Sequence, residues 1–77
     1  MTTIKKPKGL FAGRNFMTPD VHAYYKLRKG YAELSEGTGF DRTPIFGVTV
    51  EPDTPDRARS KLCKSRAEAM EYIRSMT

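Results

Sequence analysis

The sequence predicts a small α+β domain: a three-stranded antiparallel sheet with a C-terminal α-helix packed on one face. Three observations carry this. Pro44–Val50 alternates Phe46, Val48 and Val50 with Ile45, Gly47 and Thr49, the pattern of a β-branched strand. The run HAYYKLRKGYAELSE sorts its residue types by side when it is folded as a hairpin. Ser65 and Glu68 stand three apart, the spacing of a capping box, and the following residues Ala69, Ile73 and Met76 form an apolar stripe at the helical period, with Met70 alongside.

Taken in order, residues 1–8 read as a flexible basic arm with Lys5, Lys6 and Lys8 around Pro7, and residues 9–77 as a single β-β-β-α domain. Leu10, Phe11, Phe16 and Met17, interrupted by Gly13, form either a short first strand or an apolar strap over the core. Thr18-Pro19-Asp20 is a legitimate helix start, so a helix over 19–29 ending at Gly30 is the alternative to the hairpin. The sorting of types favours the hairpin. With Lys29-Gly30 as a two-residue turn, Arg28 opposes Tyr31, Leu27 faces Ala32, Lys26 faces Glu33, and Tyr25 faces Leu34. One side is then Tyr25, Leu27, Ala32 and Leu34, able to pack; the other is Tyr24, Lys26, Arg28, Tyr31, Glu33 and Ser35, left to water or a partner. Residues 36–43 read as a loop. The strand at 44–50 stops at EPDTPD, where Pro52 and Pro55 lack the amide needed for further ladder pairing. The helix opened by Ser65 buries its stripe on Tyr25, Leu27, Leu34, Phe46 and Val48.

Composition narrows the function classes. At 77 residues, a chain buries only ~60–65% of its unfolded surface, so the core is thin. Cys63 is the sole cysteine, which excludes a disulfide within the chain and suits a reducing compartment. One His, one Cys and scattered carboxylates make a poor metal set. No run reaches the ~18 apolar residues of a membrane span, and the first residues lack the apolar core of a secretory signal. The expectation is a soluble, cytoplasmic protein without cofactor. His22 and Cys63 lack a third group to orient a base and a donor for an oxyanion, and the glycines read as turns, so no enzyme or small-molecule site is predicted.

Charge supplies the positive signal. Fourteen Lys and Arg stand against nine Asp and Glu, a formal net charge of +5. A small basic chain is drawn to polyanions, either nucleic acid, DNA or RNA, or an acidic protein surface. Two sets of residues are candidates. The first is the open hairpin face with Tyr24, Lys26, Arg28 and Tyr31, where rings can stack bases and cations can track a backbone. The second is the basic block Arg57, Arg59, Lys61, Lys64 and Arg66. If 57–61 is extended, Arg57, Arg59 and Lys61 project to one side while Leu62 pins the segment to the core, and Lys64 and Arg66 flank the start of the helix, where free backbone amides attract anions. The bland alternatives are Tyr rings packed on Lys stems and a cluster neutralised by Asp56, Glu68 and Glu71.

A three-stranded sheet with one helix is similar in outline to small sheet-reading DNA-binding domains, such as the N-terminal modules of some integrases and the plant AP2-type domain, which lay the sheet in the major groove. The resemblance implies DNA binding through the sheet face. The small size, basic charge and lack of catalytic motifs also resemble phage- or mobile-element-encoded regulators that bind and block one host protein. Nucleic-acid binding is the leading expectation and a host-protein inhibitor the alternative.

Overall fold

The computed structural model describes residues 2–13, 16–53 and 57–77. Five strands run in chain order across one antiparallel sheet: β1 (Thr3–Ile4), β2 (Asp20–Leu27), β3 (Gly30–Thr38), β4 (Pro44–Pro52) and β5 (Arg59–Cys63). One helix, α1 (Arg66–Arg74), follows. The fold class is α+β, but the predicted three-stranded sheet is corrected to five strands. The predicted strands form the centre but run further than predicted: β3 continues through Glu36, Gly37 and Thr38 of the predicted loop, and β4 continues through Glu51 to Pro52, because each extension pairs with the other strand. A short strand is added at each edge.

Both edges have a physical reason. β4 places Val48 in the core with Phe46 and Val50 packed beside it, so its outer backbone groups need partners. Arg59–Cys63 supplies them, pairing Val50 with Arg59, Val48 with Lys61 and Phe46 with Cys63. On the other side Thr3 pairs with Tyr25 and Ile4 with Tyr24, so two residues of the predicted arm are strand. The predicted loop residues Pro55 and Asp56 lie outside the described residues.

Residues 20–27 are strand, which removes the helical alternative. The hairpin register differs from the predicted one. The turn is Arg28-Lys29, and Leu27 pairs with Gly30, Lys26 with Tyr31, Tyr25 with Ala32 and Tyr24 with Glu33. Gly30 is not a turn residue but the first residue of β3, at φ +148°. It is glycine because the chain passes close by: a Cβ there would lie 2.8 Å from Pro52 Cα and closer still to the Glu51 carbonyl oxygen. The change of pairing is an even step, so every residue keeps its side of the sheet. Arg28 alone moves, from the face to the tip of the turn. Further along β2, the pairing shifts between Val21 and Ala23, leaving His22 as the extra residue of a bulge.

The helix starts as its sequence predicts. Ser65 is the N-cap, its Oγ accepting from the Glu68 N–H at 3.1 Å. The Glu68 carboxylate reaches back one residue further than a strict capping box, accepting from the Lys64 N–H at 3.2 Å. Ala69 and Ile73 are fully buried on Tyr25, Leu27, Ala32, Leu34, Val48 and Cys63, with Met70, Tyr72 and Met76 packed at the margin. The chain end is tied down by Arg28 N–H donating to the Met76 carbonyl at 3.0 Å.

The opposite side of the sheet is not open. The described residues 9–13 and 16–19 cross it as a strap rather than a strand, the second of the two readings the sequence offers. Phe11 is buried at φ 55°, with its ring 5.4 Å from that of Tyr24. Left-handed backbone at a non-glycine residue costs about 1–2 kcal/mol, and burying a Phe side chain returns about 1.5–3 kcal/mol, so the strap holds. Thr18 is buried as well and accepts from Ser35 Oγ at 2.8 Å, beneath the strap.

Candidate functional site

The sheet gives alternate residues of each strand to opposite sides, and the cations do not divide evenly between them. On the α1 side, a groove of about 450 Å³ opens between the Arg28-Lys29 turn and the end of the helix. Leu27, Val50, Pro52, Tyr72 and Met76 form its floor. Arg28, Lys29, Arg57 and Arg59 stand around it. All four cations are exposed, and among the described residues no carboxylate pairs with any of them. Their convergence follows from local structure. The two-residue turn fixes Arg28 and Lys29 at the tip of β2–β3, and the pairing of Arg59 with Val50 brings the start of β5 alongside the β4 floor.

From the groove the cations continue along β5. Arg59 and Lys61 share a side at strand spacing, ~6.7 Å for two residues, and Lys61 Nζ lies 4.6 Å from the centroid of the Tyr72 ring on α1. The predicted anchor on this strand is corrected: Leu62 points to the strap side and is 49% exposed, and the residue buried against the core is Cys63. Parity decides this, because Cys63 shares the side of Arg59 and Lys61, the side that α1 covers.

The chain itself supplies part of the capping at the helix N-terminus. Ser65 Oγ takes the Glu68 N–H, the Glu68 carboxylate takes the Lys64 N–H just ahead of the helix, and Arg66 turns back to the sheet, donating to His22 Nδ1 at 3.0 Å. That contact fixes the His22 tautomer, with the proton on Nε2, which meets Glu36 Oε1 at 2.9 Å. Arg66 is therefore held in a bridge from α1 to the β2 bulge and β3. Lys64 stays exposed beside it.

The hairpin face places Tyr24, Lys26 and Tyr31 on the strap side. Lys26 Nζ sits 4.6 Å from the Tyr31 ring centroid and donates to the Gly30 carbonyl at 3.3 Å. This cation–π pair lies where the sequence predicts a Lys26–Glu33 pair, since Glu33 opposes Tyr24 instead. Tyr24 is half-covered by Phe11, and its hydroxyl is pushed above its ordinary pKa by burial and by the neighbouring Glu33 carboxylate. Glu33, Glu51, Thr49 and Ser60 line a second groove here with Phe16, Met17 and Leu62. The side predicted as an aromatic and cationic platform thus contains two carboxylates and a strap.

Burial pushes the Cys63 thiol up, the Glu68 carboxylate adds to this, and Lys61 opposes it. Among the described residues no group of three His, Cys, Asp or Glu side chains stands close enough to hold a metal ion. No described helix is long and apolar enough to cross a membrane. Of the nine residues singled out from sequence, the groove gathers Arg28, Arg57 and Arg59. Lys61 extends the row beyond it, Lys64 is exposed just after β5, Arg66 is engaged by His22, and Tyr24, Lys26 and Tyr31 belong to the other side. Sequence reasoning omits Lys29, Tyr72 and Met76. The missed signal is the turn: placing it at Arg28-Lys29 puts both cations at one tip beside the helix end. No protein-family model, curated protein or solved structure matches this chain.

Proposed function

We propose that this chain is a small, non-enzymatic nucleic-acid-binding module of a reducing, cytoplasmic setting. It holds a phosphate backbone along β5 and over the Arg28-Lys29 turn. The observation that carries the reading is the convergence of Arg28, Lys29, Arg57 and Arg59 on one groove without carboxylate partners among the described residues. Unpaired cations crowded together repel one another, and an anion relieves this. Three of the four are arginines, whose planar forks match phosphate.

The test is the salt dependence of binding to a labelled mixed-sequence oligonucleotide. Four phosphate contacts give a log–log slope of about −3 on a single strand, so affinity drops about fiftyfold between 50 and 200 mM salt. Absence of binding even at the lower salt rejects the reading.

A second reading, a phage- or mobile-element-type regulator that binds one host protein, draws on the strap side. Phe16 is 91% exposed there, beside the half-exposed Met17 and Leu62. Such apolar surface suits a protein contact better than phosphate. A pull-down from nuclease-treated lysate that recovers one dominant protein favours it.

A further inference from the structure

We infer, resting on the nucleic-acid reading, that the groove between the Arg28-Lys29 turn and the end of α1 seats an unstacked nucleobase, so that the ligand is single-stranded. The groove is amphiphilic in the way a nucleotide is. Its floor of Val50, Pro52, Tyr72 and Met76 is partly exposed apolar and aromatic surface, and its rim is four cations. Its volume of about 450 Å³ falls within the ~300–1,000 Å³ of small-ligand sites.

A duplex does not fit this arrangement. Its bases are stacked inside, and reaching a concave site requires flipping one out. Laying the sheet in a major groove is closed off too, because α1 covers one side and the strap the other, where Glu33 and Glu51 repel phosphate. An acidic peptide is the competing occupant. Arg59 and Lys61, ~6.7 Å apart as alternate residues of β5, with Arg57 on the groove just ahead of the strand, favour a row of phosphates instead. Arginine also offers a flat face on which a base can stack.

The experiment measures the intact chain against a single strand, its blunt duplex, an equal-length strand of abasic sites, and poly-glutamate as competitor, all at 50 mM salt. The single strand binds about tenfold or more tighter than the abasic strand and the duplex, as expected for one stacked base. Ser75→Trp, which fills the groove from its exposed rim, abolishes that preference and leaves duplex binding unchanged, with an unaltered melting curve as the folding control. If single strand, duplex and abasic strand bind equally, the base site is wrong and the nucleic-acid reading survives. If poly-glutamate displaces the strand as well as unlabelled strand does, the groove is a carboxylate site and the inference falls. No binding to any nucleic acid overturns inference and reading together. The abasic strand tests the proposal even if Ser75→Trp fails to fold.

Discussion

The two sides of the sheet are built from alternate residues of the same strands and have opposite chemistry. The α1 side has its core at the centre and unpaired cations at its margin, at Arg28, Lys29, Arg57 and Arg59. The strap side has Glu33 and Ser35 buried at its centre and exposed apolar groups, Phe16 and Leu62, at its margin. Net charge, spread over the whole chain, conceals this division. The difference teaches that charge available to a partner is charge left without an internal partner. Lys26 is spent on Tyr31 and the Gly30 carbonyl, and Arg66 on His22, whereas the groove cations have neither.

The comparison breaks most sharply under charge reversal. Arg57→Glu with Arg59→Glu lowers oligonucleotide affinity about a hundredfold at low salt and flattens the salt slope by about 1.4 on a single strand. Lys26→Glu, on the other side, changes affinity less than threefold beyond the general loss of net charge. Fluorescence anisotropy over a salt series measures both. Equal effects from the two sides abolish the distinction between them.

The next largest effect is on stability and tests whether the strap side is a built layer. Phe11→Ala removes a buried ring and its contact with Tyr24, and destabilises the fold by about 2 kcal/mol. Gly37→Ala acts on the same layer from below, since a Cβ there falls inside contact distance of the Met17 carbonyl oxygen and 2.9 Å from Thr18 Cα. Both lower the urea midpoint, and the folded protein keeps its affinity for the oligonucleotide. A loss of affinity in proportion to the loss of stability, with the protein still folded, places the strap in the binding surface.

These contrasts explain what was legible in the sequence. Elements with a strong local period were readable: the alternation of β4, the cap and stripe of α1, and the two-sidedness of β2 and β3. Extension over 57–61 was only a condition in the sequence, and strand forms from Arg59 onward; alternate cations look the same on a solvated loop and on a sheet edge. β1 is two residues long and owes its form to β2, so it leaves no local signal. The predicted register differs because glycine serves turns and close approaches alike, and Gly30 serves an approach by Glu51 and Pro52, 21 and 22 residues further along the sequence. The candidate site suffered most. Its residues come from the turn, the start of β5 and the end of α1, and only tertiary structure brings them together.

The smallest effect sharpens the comparison by giving each side its own titrating group. Cys63 lies on the α1 side and Tyr24 on the strap side, and the fold raises the pKa of both, chiefly by burial. Each group therefore holds its proton more tightly folded than unfolded. The associated stability is fully present below the unfolded values, about 8.5 for a thiol and about 10 for a phenol, and is lost as pH rises through the folded values. Melting temperature should stay level to about pH 8 and then decline in two stages. Cys63→Ala removes the earlier stage, and Tyr24→Phe, which keeps the ring against Phe11, removes the later one. The differences between the three curves isolate the two sites. A Tyr24→Phe curve that matches the parent above pH 10 would mean that the phenol is not held in its neutral form beside Glu33, and that the strap does not shield this side of the sheet from water.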